Sequence, residues 1–256
     1  MPIQSYTPSQ NCLLNALSAE ELERISPHLE LVQMSLGEVL YEASEKLRYA
    51  YFPVDSIISI LYLTESGASA EIAVVGFEGV AGVSLFMTGQ AMQNRAVAQS
   101  AGNSYRIQQK HFMQEFDRHE GLLSIMLKYT QVLITQMGQT AVCNRHHSID
   151  QQLCRWLLLS LDRLRTNELL MTQELIANML GVRREGITDA AKKLQQEGLI
   201  EYRRGHITIL DRIGLEARVC ECYKVVQLES ERLLGSGQTT GNPGSTYSTG
   251  ALSRNF

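Results

Sequence analysis

The chain has 256 residues, a formal net charge of −4, and 44 % hydrophobic against 20 % charged residues. That composition excludes a disordered chain, a collagen and a disulfide-dense secreted scaffold. No apolar run approaches the roughly 18–20 residues of a membrane helix, the opening segment predicts no secretory signal, and five scattered cysteines predict free thiols in a cytoplasmic protein.

In chain order, residues 12–30 read as short helices, with Ser18 and Glu21 spaced as a capping box and Leu22 and Ile25 buried. From 31 to 109 the texture changes to short β-like runs, such as SIISILYL and AEIAVV, punctuated by glycines and Pro53. Many short strands without βαβ alternation predict an antiparallel β-roll or jelly roll. Residues 121–145 carry one long helical pattern. Leu122, Met126, Tyr129, Leu133, Gln136 and Thr140 fall on one seam of it, and that seam is expected to face a second copy of the chain.

Residues 148–166 predict a further amphipathic helix. Residues 172–180 predict another, capped by Thr172 and burying Leu175, Ile176, Met179 and Leu180. After the turn Gly181-Val182, residues 183–197 predict a helix ended by Gly198, with Ile187, Ala190, Ala191 and Leu194 inward. Two strands, 199–202 and 206–210, follow around the turn Arg203-Arg204-Gly205. Residues 211–234 predict a last helix packed on this unit. The Gly/Ser/Thr-rich stretch 235–256 predicts disorder.

Helix, glycine turn, helix and a hairpin with a basic tip make a winged helix-turn-helix. Its second helix would present Arg183, Arg184, Glu185 and Thr188 to a DNA major groove, where Arg suits guanine and Glu suits cytosine. Arg203, Arg204 and Lys192 are placed near phosphates. Thr172 and Gln173, at the start of the first helix, and His206 on the wing complete the candidate DNA-binding set. The charge distribution agrees. Residues 1–149 hold 9 basic and 14 acidic side chains, whereas 150–235 hold 13 of each, with the bases paired as Arg183-Arg184, Lys192-Lys193 and Arg203-Arg204.

Over about residues 12–210 this succession resembles a bacterial transcription regulator of the Crp/Fnr (cyclic-AMP receptor/fumarate-nitrate reduction regulator) family. The segment MTQELIANMLGVRREGITDAAKKLQQEGLIEYRRGHITILD carries the resemblance most specifically, and Arg184-Glu185 match the Arg-Glu pair that opens the family's recognition helix. A further family arginine, four residues after that Glu, aligns with Asp189, so the site read should differ from the usual half-site.

The resemblance implies an α+β fold. A β-roll of the cyclic-nucleotide-binding kind would span 12–118, a dimerisation helix 119–147 and a winged helix with an extra C-terminal helix 148–234. It implies a homodimer on a near-palindromic operator, contact with RNA polymerase, and no enzymatic activity. The family's cyclic-nucleotide cassette is degenerate here. Val80 stands where a Glu should follow Gly79, Ala96 replaces the hydroxyl residue after Arg95, and Met137-Gly138 align near the expected adenine contacts. Control by cyclic AMP is therefore not expected, and Arg95 remains for another anion, such as a cyclic dinucleotide or small-molecule effector, or for a carboxylate in the roll. A nucleotide-binding regulatory module or a protein-interaction module that does not read DNA stays open as the alternative.

No metal site is expected. Cys12 alone lies near the N-terminus, where the family's oxygen sensors carry an iron–sulfur cluster. Cys143, His146 and His147 show no compact ligand spacing, and Cys220 and Cys222 on one helix would point about 200° apart. A redox role for Cys143, Cys154, Cys220 and Cys222 stays open.

Overall fold

A computed structural model describes residues 6–164 and 166–235. The stretch expected to be disordered lies, from 236 on, outside the described residues.

Asn11 opens α1 (Cys12–Asn15), its side-chain oxygen accepting from the amides of Leu13 and Leu14. In α2 (Ala19–Ile25) Ser18 and Glu21 cap each other's backbone, as their spacing predicts. Seven strands follow among the described residues: β1 (Glu30–Met34), β2 (Val39–Tyr41), β3 (Tyr49–Pro53), β4 (Ile58–Leu63), β5 (Ser69–Val75), β6 (Asn94–Ala98) and β7 (Gly102–Gln108). The short helix α3 (Ser84–Met87) sits between β5 and β6. The strands pair antiparallel in two sheets, in the orders β1-β7-β3 and β2-β6-β4-β5. The alternation of each strand sends Phe52, Ile58, Ile60, Val75 and Ile107 between the sheets. Helix α4 (Gln109–Phe116) closes one end, stacking Phe116 on Phe86 and setting Phe112 against it at a tilt.

Helix α5 (Gly121–His146) corrects one expectation. Leu122, Met126, Tyr129 and Leu133 are buried in the core of the roll. The Gln136 carboxamide accepts from the Val74 amide at 2.8 Å and donates to its carbonyl at 3.3 Å. Thr140, also buried, accepts from Arg155. The whole predicted seam therefore packs on its own chain and has no surface left for a partner. The opposite face of α5 is the exposed one, and it carries Leu127, Ile134 and Val142 at 57 %, 61 % and 46 % exposure.

Helix α6 (Ile149–Leu161) starts on a Ser148–Gln151 capping box. Every residue from Gln152 to Leu161 is buried. The reason is that α6 is sandwiched: Ile57, Leu61, Val74 and Val97 on the outer face of the roll join Leu153, Trp156 and Leu157 in one core with the C-terminal half. Gln99 donates to Ser160 across this junction at 3.0 Å, and the buried pair Arg163–Glu78 closes it at 2.6 Å.

The C-terminal half holds β8 (Glu168–Leu170), α7 (Gln173–Leu180), α8 (Arg184–Gln196), β9 (Ile200–Arg203), β10 (His206–Ile209), α9 (Arg212–Arg218) and α10 (Cys222–Leu234). Its sheet has the order β8-β10-β9, one strand more than the sequence suggested. The expected single last helix is broken, because Val219 is extended and the chain re-enters helix only at Cys222. Helix α9 packs on α6, within the unit expected to hold the last helix, while α10 runs chiefly along α5 and sends Tyr223 and Val226 into the core of the C-terminal half. Buried Asp162 ties this arrangement together by accepting from Arg212, Tyr223 and Gln227. No helix among the described residues is long and apolar enough to cross a membrane.

Candidate nucleic-acid interface

Local chemistry builds the helix-turn-helix. Thr172 caps α7, its hydroxyl accepting from the Leu175 amide at 3.2 Å. Gly181 ends the helix at φ 65°, left-handed backbone that a residue with a Cβ adopts only at a cost. The buried side of α7 is Ile176, Ala177, Met179 and Leu180; Leu175, expected inside, is exposed. Arg183 is the N-cap of α8 with extended backbone. Ile187, Ala190, Ala191 and Leu194 bury the inner face of α8, which leaves Arg183, Arg184, Glu185, Thr188, Asp189 and Lys192 in solvent.

The two helices touch through candidate residues. Thr188 donates to the Gln173 side chain at 2.8 Å and to the Arg184 carbonyl at 3.1 Å. Arg184 lies 4.0 Å from Glu174, both well exposed, a pair that water screens. Lys193 is taken by Asp150 at 3.1 Å, and Arg218 by Glu197 and Asp150. Among the described residues, no ion pair holds Arg183, Lys192, Arg203 or Arg204, so the outward face keeps its cations while the flanks neutralise theirs.

The wing is a two-residue hairpin. Arg204 at φ 52° and Gly205 at φ 83° turn between Arg203 and His206, which pair directly. Two successive positive-φ residues define the turn whose twist matches flanking strands. The tip is anchored: the Gly205 carbonyl accepts from the Met171 amide at 2.7 Å, and the Tyr202 hydroxyl donates to the Met171 carbonyl. Arg203, Arg204 and His206 are exposed at one end of this small sheet. Chain segments 171–173, 183–192 and 203–206 are thus held together by capping, packing and hairpin contacts.

The roll is built differently from a nucleotide cassette. Val80 and Ala96 are buried at 1 % and 0 % exposure. The Tyr129 ring lies so close to Gly79 that a Cβ there would collide with it. Arg95 points its guanidinium at Glu42, 3.2 Å away, so an anion at Arg95 must compete with that carboxylate. Glu71, whose role the sequence did not suggest, is buried on β5 facing α6 and accepts from Ser59. Burial pushes its carboxyl up to about 7, against the pull of Ser59 and of the Arg155 and Arg163 charges.

The family model of the Crp-like helix-turn-helix domain matches residues 151–218. Solved structures share the fold over most of the chain. A protein described as a transcriptional regulator of the Crp/Fnr family from Eubacterium rectale is 21 % identical, with a TM-score of 0.63, covering 83 % of this chain and 97 % of its own. FixK2 from Bradyrhizobium japonicum is 16 % identical, with a TM-score of 0.63 and coverages of 75 % and 98 %. The c-di-GMP responsive global regulator CLP from Xanthomonas campestris is 15 % identical, with a TM-score of 0.61 and coverages of 76 % and 100 %. At these identities the likeness is one of fold. A search of curated proteins gives no match.

The basic winged helix is a Crp-like helix-turn-helix domain, and the roll and central helix precede it as they do in the solved structures. Residues 151–218 thus match the Crp-like helix-turn-helix domain, and over most of its length the chain shares the fold of a solved regulator described as of the Crp/Fnr family.

Proposed function

We propose that this regulator acts in the cytoplasm as a homodimer that reads a near-palindromic operator, with half-sites about one helical turn apart. The observation that carries the reading is the face of α8. Arg183, Arg184, Glu185 and Thr188 are exposed opposite a fully buried stripe, beside a wing whose Arg203 and Arg204 have no carboxylate partner among the described residues. Arg184 and Glu185 read base edges, Arg183 and Thr188 lie beside them, and Lys192, Arg203, Arg204 and His206 meet phosphates. Thr172 and Gln173 offer the start of α7 to the backbone.

The dimer forms on the outward face of α5. Leu127, Gln131, Ile134, Gly138 and Ala141 follow alternating spacings of four and three residues, the repeat of a coiled-coil seam. A Cβ at Gly138 would meet nothing within 4 Å, which leaves room for a second backbone to approach.

Cyclic AMP is not the effector, since neither a carboxylate nor a hydroxyl stands at Val80 and Ala96. A cyclic dinucleotide, the ligand class named for the Xanthomonas regulator, is a candidate that would have to displace Glu42 from Arg95. Contact with RNA polymerase belongs to the same proposal, on the strength of the family resemblance alone.

Selection of bound sequences from a random duplex pool tests the reading. The wild-type chain should enrich a near-palindrome, and Arg184→Ala should lose about 1–3 kcal/mol of discrimination at one base pair per half-site. A pool that shows no enrichment would leave the protein-interaction alternative standing. Calorimetric titration with cyclic AMP, cyclic GMP and cyclic di-GMP tests the effector; micromolar binding of cyclic AMP would overturn that part.

A further inference from the structure

Four potential metal ligands from distant parts of the chain converge beside the hinge between α5 and α6. Cys143 and His147 come from the last turn of α5 and its cap, one helical turn apart. Cys220 and Cys222 come from the break between α9 and α10, where Cys220 precedes the helix. The helical spacing that would have turned the two thiols apart therefore does not apply. All four ligand atoms lie within 4.8 Å of one another. The three cysteines are buried and form a cluster separate from both apolar cores. We propose that Cys143, His147, Cys220 and Cys222 hold a single zinc ion that clamps the α9–α10 junction to the foot of the central helix.

The distances suit a tetrahedral ion. With Zn–S near 2.3 Å and Zn–N near 2.0–2.1 Å, two thiolates sit about 3.8 Å apart and a thiolate and an imidazole nitrogen about 3.6 Å. Here the Cys143 and Cys220 sulfurs are 3.6 Å apart, and the Cys222 sulfur is 3.6 Å from His147 Nδ1. Four ligand atoms this close enclose one ion, and three thiolates with one imidazole form a closed, structural set.

The surroundings agree. His147 Nε2 lies 3.4 Å from Glu221, the carboxylate partner that fixes a ligating imidazole so that Nδ1 faces the metal. Zinc with three thiolates carries one net negative charge. Arg155 is buried, donates to Thr140, has an unpartnered Nε, and acts electrostatically on Cys143 and Cys222. The other acidic convergence, Glu21, Glu115 and Glu120, differs: Arg24 already bridges Glu115 and Glu120.

The test is the metal content of the untagged full chain, purified under reducing conditions without chelator and then incubated with zinc sulfate and desalted. One zinc per chain is expected, released by a mercurial thiol reagent, with tetrahedral thiolate-type absorption when cobalt(II) is substituted. Cys220→Ala should abolish it and Cys12→Ala should keep it. Glu221→Ala, at an exposed side chain that leaves the fold alone, should weaken zinc affinity about 10–100-fold against a chromophoric competitor. A metal-free chain with all thiols titratable, a Cys143–Cys220 disulfide under these conditions, an iron–sulfur chromophore, or full zinc in Cys220→Ala would each overturn the proposal.

Discussion

Glu71 shows how a single side chain registers the docking of the two halves. Its carboxyl is covered by α6, and burial holds it protonated up to about pH 7. A pKa raised in the folded state means that the folded chain binds a proton the unfolded chain releases. The contribution of Glu71 is thus most favourable below its ordinary value near 4.5, and is lost as pH rises through about 7. Glu71→Gln keeps the shape and removes the titration. Its stability relative to wild type, read from thermal midpoints, should rise between about pH 4.5 and 7, at most by about 1.4 kcal/mol per pH unit, and stay level on either side. A difference that is flat across that window would place Glu71 in water.

At the scale of elements, the wing is the part with the sharpest ionic signature. Arg203 borders and Arg204 forms part of a turn pinned to Met171, so removing either guanidinium leaves the hairpin in place. Each of Arg203→Ala and Arg204→Ala should lower the slope of log affinity against log salt by about one, read from titrations of the selected operator at several ionic strengths. An unchanged slope would move the phosphate contact elsewhere. The wing and the two helices beside it were legible in the sequence because their determinants are local: a threonine cap, a left-handed glycine, a basic two-residue turn. Strand β8 was not, since three residues carry no period and exist as a strand only by pairing with β10. The cysteine cluster was hidden for a similar reason, with 77 residues separating Cys143 from Cys220. The seam of α5 was misassigned because both faces of that helix are apolar. Leu122, Met126, Tyr129 and Leu133 repeat as regularly as Leu127 and Ile134, and periodicity does not say which neighbour each face meets.

For the whole molecule, the proposed dimer rests on one face of the central helix. The exposed side of α5 offers Leu127, Ile134 and Val142 in a row broken only by small or polar residues. Ile134 stands 61 % exposed near its middle and contributes nothing to either core. Ile134→Asp should therefore halve the mass seen in sedimentation while leaving the circular dichroism spectrum unchanged. A variant that remains dimeric would send the interface to another face.

The shared core between roll and winged helix has a consequence for how such a chain can evolve. Ile57, Leu61, Val74 and Val97 lie on the outside of one half and the inside of the whole. Cut away after the central helix, the roll would bare these four side chains and the carboxylate of Glu78, which now faces Arg163. Neither half is a portable module. A recombination that swapped in a foreign winged helix would have to bring a matching α6 with it, so the roll and the winged helix pass on as one unit.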